Sequence, residues 1–96
     1  GSGPAYLFLL AEAMIASGIE NGLDPTVADV LTRQTLLGAS SLLSSSGVSP
    51  SDLRDSVTSP NGTTAAAIDH LDKNQFTEII IAAISKATSR SKELGE

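Results

Sequence analysis

The apolar residues of this 96-residue chain recur at helical spacing in stretches that begin near prolines. Pro4, Pro25 and Pro50 each open such a stretch. Proline is tolerated at the first helical position because the N–H that it lacks would have no partner there. No stretch shows the alternation of a half-buried strand. The pattern predicts five helices, over residues 4–21, 25–45, 50–57, 64 or 65 to 73, and 75–94. We therefore expect an all-α fold, a bundle of about five helices in one domain.

Polar residues and glycines at the edges of these stretches predict where the helices begin and end. Serine, threonine, aspartate and asparagine cap helices because their side-chain oxygens accept a hydrogen bond from a free N–H of the first turn. Gly22 is expected to end the first helix in a left-handed conformation. The expected N-caps, in chain order, are Ser2 or Gly3, Asp24, Ser49, Thr63 or Thr64, and Asn74, which also ends the fourth helix.

The first and last predicted helices are apolar on every side. Residues 6–10 form an unbroken apolar run, and isoleucines fill residues 79–81. A helix that is apolar all round is buried all round, and a chain of this length has few elements to surround it. We therefore expect a second copy to supply part of the cover, as an interwound homodimer. Glu12, inside the first apolar stretch, either forms an ion pair across that interface or marks its solvated edge.

Composition and charge exclude several classes of function. The net charge is −5 and the pI about 4.6, so no nucleic-acid partner is expected, because such binders need a basic face. The chain has no cysteine and a single histidine, His70, so we expect no metal site and interpret His70 as a surface or packing residue. The first apolar stretch contains Glu12 and is too short to span a bilayer, and no basic region precedes it as in a signal peptide. We expect no membrane contact and a cytoplasmic location.

The densest polar cluster is the segment 58–64, Thr-Ser-Pro-Asn-Gly-Thr-Thr, which leads into the fourth predicted helix. Ser59-Pro60 favours extended backbone and Asn61-Gly62 favours a turn. The free N–H groups and the positive dipole end of a helix N-terminus attract anions. The segment therefore either binds a carboxylate or phosphate, or is a helix cap and turn with no ligand.

Four segments resemble the C-terminal domain of pyrroline-5-carboxylate reductases, and they occur in the family's order. They are GSGPAY at residues 1–6, QTLLGA at 34–39, LRDSVTSPNGTT at 53–64 and ATSRSKEL at 87–94. The third is similar to the signature loop of that family, and the resemblance covers essentially the whole chain. It implies a helical domain that dimerises by interlocking its long helices with those of its partner.

The resemblance also implies an activity. The complete family enzyme reduces 1-pyrroline-5-carboxylate to L-proline in proline biosynthesis: hydride from NAD(P)H reaches the C=N carbon, and the ring nitrogen gains a proton. The cofactor is held by an N-terminal Rossmann domain, which residues 1–96 do not include.

Gly1-Ser2-Gly3 begins like a dinucleotide fingerprint, but Tyr6 stands where the third glycine belongs and no strand precedes it. We therefore expect this chain alone to bind no cofactor and to be inactive.

By the same resemblance, Ser59, Asn61, Gly62, Thr63 and Thr64 hold the substrate carboxylate. Thr64 matches a threonine near the ring nitrogen and is the candidate for orienting the substrate or relaying a proton. Orientation is the expected role because an unaided hydroxyl is a poor acid. Asn61 replaces the first of two glycines, and asparagine tolerates a positive φ. The alternative is a stand-alone helical dimerisation module with no ligand or activity.

Overall fold

The structure, a computed structural model, describes residues 1–95 and contains five helices and no strand in that range. The helices are α1 (Gly3–Glu20), α2 (Pro25–Ser46), α3 (Pro50–Ser56), α4 (Thr63–Lys73) and α5 (Phe76–Glu93). The all-α class and the five predicted helices are confirmed, and no helix end differs from its predicted position by more than two residues. The chain divides into two compact units, Gly1–Ser49 and Pro50–Glu96.

In the first unit, α1 and α2 form an antiparallel hairpin around a close contact between Gly18 and Ala28. A Cβ placed on Gly18 would lie 3.0 Å from the Ala28 Cβ and 3.3 Å from Leu23 Cδ1. Ala28 is 1% exposed, so this contact is the most buried point of the hairpin. The small side chains at both positions let the two backbones approach closely where the short connection joins them.

The connection between α1 and α2 confirms two predictions. Gly22 has a φ of +101°, a left-handed conformation that ends α1 and that a residue with a Cβ rarely adopts. The Asp24 carboxylate accepts a hydrogen bond from the Thr26 N–H at 3.1 Å, so Asp24 is the N-cap of α2.

The predicted N-caps of α1 and α5 need correction. Ser2 occupies the N-cap position of α1, which is one of the two predicted alternatives, but its backbone angles are helical and its side chain makes no capping bond. Its hydroxyl bonds to the Tyr6 hydroxyl instead. An N-cap needs extended backbone for its side chain to reach the first turn. Asn74 does not cap α5, because its amide Nδ2 donates to the His70 carbonyl at 2.8 Å, at the end of α4. The residue before α5 is Gln75, which reverses the chain with a φ of +64°.

The buried core of the described residues is small. In residues 1–95 only Ala28 and Thr32 of α2 are buried, and α1, α3, α4 and α5 contain no buried residue. The exposed large apolar side chains include residues 7–10 of α1 and 79–81 of α5. The helices that the sequence marks as apolar on every side therefore lack cover within the described chain.

Charged side chains pair along the helix surfaces. Ion pairs join Arg33 to Asp29 at 2.7 Å, Lys73 to Asp69 at 2.9 Å and Arg90 to Glu93 at 2.9 Å. The hydrogen bond and the charge of Asp29 raise the pKa of Arg33 above its ordinary value. Because the pKa of Arg33 is raised, its guanidinium keeps its charge and its ion pair with Asp29 until the pH rises through that pKa. This pair therefore adds no pH dependence near neutrality.

Candidate functional site

The loop that leads into α4 is held at its start by bonds back to α3. The Val57 and Thr58 N–H groups donate to the carbonyl oxygens of Arg54 and Asp55, at 3.2 and 3.1 Å. The Thr58 hydroxyl donates to the Arg54 carbonyl at 2.6 Å. These three bonds fix the position from which the loop leaves the helix.

Residues 59–62 then form a tight turn. The Gly62 N–H donates to the Ser59 carbonyl at 3.1 Å, and Asn61 has a φ of +59°. Proline at the second position and a left-handed residue at the third are typical of a type II turn. Asn61 replaces a glycine of the family's loop. It adopts a positive φ here, which asparagine tolerates.

Gly62 is required by close approach rather than by its φ. Its backbone is extended, with a φ of −86°, which any residue adopts. A Cβ on Gly62, however, would lie 2.5 Å from Ser59 Oγ and 3.2 Å from the Ser59 carbonyl oxygen. The missing side chain therefore leaves room for the Ser59 hydroxyl directly beside the start of α4.

The N-terminus of α4 carries no side-chain cap, which corrects the prediction that Thr63 or Thr64 caps it. Both threonines already lie inside the first turn, Gly62 occupies the N-cap position, and no side chain accepts from the turn. The first α-helical bond is the one from the Ala66 N–H to the Gly62 carbonyl, at 3.2 Å. The N–H groups of Thr63, Thr64 and Ala65 therefore point out of the helix toward any anion that approaches.

An open depression of about 460 Å³ adjoins this helix end. Its lining consists of Asn61, Gly62, Ala65, Ala66 and Asp69. Asp69 lies about 9 Å along the helix axis from the first turn, where its repulsion of a bound anion is about 0.5 kcal/mol in water. The ion pair with Lys73 offsets part of this charge. An anion is therefore still favoured at the start of α4.

The structure brings the five predicted site residues together in one turn and the first helical turn that follows. Gly62 and Thr64 are half-buried, whereas Ser59, Asn61 and Thr63 are exposed. His70, the surface residue of the sequence interpretation, is exposed and does not line the depression.

Sequence reasoning missed Ala65, Ala66 and Asp69 as neighbours of the loop. They follow Gly62 by three, four and seven residues, which is the spacing of one helix face. This spacing is visible in the sequence. It predicts the lining of the depression only once Gly62 is recognised as the N-cap of α4.

Two other kinds of feature are absent from the part of the chain that the structure describes. No three histidine, aspartate or glutamate side chains lie together as metal ligands would within residues 1–95. None of the helices in this range has the length and hydrophobicity needed to cross a membrane.

Comparison with known proteins defines the class of domain. The family model that matches is described as pyrroline-5-carboxylate reductase dimerisation, and it covers residues 1–94. The chain is therefore a helical dimerisation domain. It belongs to the pyrroline-5-carboxylate reductase dimerisation family.

Individual relatives agree in sequence and in structure. The chain is 50% identical to pyrroline-5-carboxylate reductase of Pseudomonas aeruginosa over 96 residues, which are all of this chain and 35% of that protein. It matches the solved reductase of Coxiella burnetii with a TM-score of 0.94 and 44% identity, over 98% of this chain and 35% of that one. The Plasmodium falciparum enzyme, solved with NADP bound, matches with a TM-score of 0.94 and 34% identity, over 100% of this chain and 39% of that one. The chain thus spans about a third of the length of these relatives.

Proposed function

We propose that this chain is the C-terminal part of an enzyme that reduces 1-pyrroline-5-carboxylate to L-proline with NAD(P)H. Within that enzyme it supplies a homodimer interface and the loop that holds the substrate carboxylate. The observation that carries the proposal is the open N-terminus of α4, set behind the turn of residues 59–62 in a chain of this family. The relatives that bear the reductase name support the activity.

In this proposal the carboxylate accepts hydrogen bonds from the outward N–H groups of α4 and from the Ser59 hydroxyl. A hydrogen bond to a charged group contributes about 1.5–3 kcal/mol, so two or three of them suffice to position a small substrate. Asn61 and Gly62 give the turn its shape. Thr63 and Thr64 belong to the first helical turn, at the edge of the site.

Thr64 is the candidate for contact with the reacting part of the substrate. Its half-buried position in the first turn of α4 restricts the directions that its hydroxyl can take. A threonine hydroxyl is a weak acid, so it orients the ring nitrogen of the bound imine and passes on a proton only from another donor. Its main contribution is therefore position rather than acidity.

The described residues do not fit a dinucleotide cofactor. Such a cofactor binds where a glycine-rich turn joins a strand to a helix, and residues 1–95 contain no strand. NAD(P)H supplies the hydride from elsewhere in the complete enzyme, and no step of hydride transfer is assigned to this chain. We accordingly expect the 96-residue chain alone to be inactive with NADPH and the imine.

The partners follow from the same proposal. They are a second copy of the chain and the small substrate or product, with no nucleic acid and no membrane. The cytoplasmic location expected from the sequence stays a prediction.

Titration of the isotope-labelled chain with L-proline tests the carboxylate site. We expect amide shifts confined to residues 59–66, and the same shifts with tetrahydrofuran-2-carboxylate, which keeps the carboxylate and the ring. Prolinamide is the matched control, because it lacks the negative charge and should leave these amides unmoved. Equal shifts with prolinamide would contradict carboxylate binding. No shift with any of the three compounds would favour a dimerisation module without a ligand.

A further inference from the structure

The chain contains the dipeptide Asn-Gly twice, at residues 21–22 and 61–62. Asparagine followed by glycine is chemically labile, because glycine has no Cβ to hinder attack of its backbone nitrogen on the asparagine side chain. Both asparagines are exposed to water. In both pairs the glycine N–H donates to a backbone carbonyl, at 3.0 Å for Gly22 and 3.1 Å for Gly62. Neither the access of water nor the state of the glycine N–H therefore distinguishes the two pairs.

The side chains of the two asparagines are held differently. The Asn21 amide Nδ2 donates to the Ser17 carbonyl at 2.8 Å, which ties this side chain back over the last turn of α1. Within residues 1–95, no hydrogen bond holds the side chain of Asn61, which lies at the edge of the depression beside α4. The Asn61 amide can therefore turn toward the Gly62 nitrogen without first breaking a bond.

We propose that Asn61 is a site of spontaneous deamidation and that it reacts before Asn21. Once a base removes its proton, the Gly62 backbone nitrogen bonds to the Asn61 Cγ. The Cγ–Nδ2 bond breaks, and the side-chain nitrogen takes up a proton and leaves as ammonia. Water then opens the succinimide ring, either at Cγ to give aspartate or at the main-chain carbonyl carbon to give isoaspartate. Water is consumed, the base is regenerated, and no atom is oxidised or reduced.

Either product adds a negative charge to the turn before α4. The usual pKa of aspartate is about 3.9, so the new carboxylate is ionised near neutral pH. Residue 61 lies two positions before Thr63, at most about 7.6 Å away along the backbone. Isoaspartate also adds a carbon to the backbone, which disrupts the bond from the Gly62 N–H to the Ser59 carbonyl.

The consequence for ligand binding rests on the proposed function, whereas the deamidation itself does not. Two unit charges about 7.6 Å apart in water repel each other enough to weaken binding about 2.5-fold. A chain modified at residue 61 should therefore bind a carboxylate less tightly than the fresh chain. Deamidation of Asn61 thus opposes the anion preference that the open start of α4 provides.

Incubation of the 96-residue chain in mildly alkaline buffer, with and without guanidinium chloride, tests the site of modification. Peptide mapping by mass spectrometry follows the mass gained at each asparagine when its amide becomes a carboxylate. In guanidinium chloride the two Asn-Gly pairs should react at similar rates. Without it, Asn61 should react about 2- to 10-fold faster than Asn21, the factor that corresponds to one intramolecular hydrogen bond. A native chain in which Asn61 stays intact, or reacts no faster than Asn21, would overturn the proposal.

Asn61→Gly is the matched control, because glycine adopts the positive φ without strain and has no amide to lose. The peptide that contains residue 61 should gain mass in the wild type and not in this variant; a gain in both would contradict the assignment. L-proline binding should weaken about 2.5-fold as the wild type ages and should stay constant as Asn61→Gly ages. Constant binding by an aged, modified wild type would contradict the consequence for the site. A fresh wild type that binds no L-proline would contradict the proposed function, while the mass readout decides the deamidation by itself.

Discussion

Replacing Gly62 by alanine tests whether the Ser59 hydroxyl belongs to the carboxylate site. The added Cβ would lie 2.5 Å from Ser59 Oγ and 3.2 Å from the Ser59 carbonyl oxygen. The hydroxyl is the movable end of a short side chain, so it rotates away, whereas the carbonyl needs to give by only a few tenths of an ångström. We therefore expect Gly62→Ala to displace the hydroxyl from the start of α4 and to leave the helix in place.

The magnitude follows from the bond that is lost. One hydrogen bond to a charged group contributes about 1.5–3 kcal/mol, which corresponds to roughly 10- to 150-fold weaker binding of L-proline. The outward N–H groups of Thr63 and Thr64 remain, so binding is weakened rather than abolished. Alanine is also a poorer N-cap residue than glycine, and this costs about 0.5–1 kcal/mol of stability.

The assay is a double-mutant cycle read by amide shifts during titration with L-proline. Gly62→Ala and Ser59→Ala act through the same hydroxyl, so the double variant should bind at most about twofold more weakly than either single variant. Losses that multiply would refute the reasoning, because Gly62 would then act independently of Ser59. Gly38→Ala is the matched control, since a Cβ there meets nothing within 4 Å.

Three further substitutions test the surrounding structure. Asp69→Asn should tighten carboxylate binding about twofold at low salt, because it removes a repulsion of about 0.5 kcal/mol. The gain in affinity should vanish at high salt, and titration with L-proline at two ionic strengths measures it. Gly18→Ala should destabilise the chain by about 1–3 kcal/mol in urea unfolding, because its Cβ would lie 3.0 Å from the Ala28 Cβ; an unchanged midpoint would show that the hairpin relaxes freely. Asp24→Ala should cost about 1 kcal/mol in the same assay, since the Thr26 N–H loses its acceptor.

The positions of the helices could be predicted because the signals that set them are local. Pro25 and Asp24 define the start of α2 through the φ of one residue and the side chain of its neighbour. Gly22 ends α1 for an equally local reason, its positive φ. Caps that depend on a neighbouring turn were not predictable in this way. Threonine is as good an N-cap as glycine by propensity, yet the left-handed Asn61 places Gly62 at the N-cap of α4.

The candidate site shows the same division. Its residues could be placed in one segment from the resemblance and from the anion preference of a helix start. The shape of the site could not be predicted, because the lining of the depression depends on which residue begins α4. A shift of one residue would turn Ala65 and Asp69 to another side of α4. The contact between Gly62 and Ser59 Oγ likewise appears only once the turn is built.

The two parts of the proposed function, pairing and carboxylate binding, are linked in the second unit of the chain. The turn of residues 59–62 is set directly before α4, and neither α4 nor α5 contains a buried residue. A segment with so little buried surface opens locally at low cost in free energy. If pairing supplies the missing cover, the geometry of the carboxylate site persists only while the chain is paired. L-proline should then bind the dimer, and by mass action it should raise the midpoint of the dilute chain. Prolinamide at the same concentration should not, because it lacks the charge that the open end of α4 attracts.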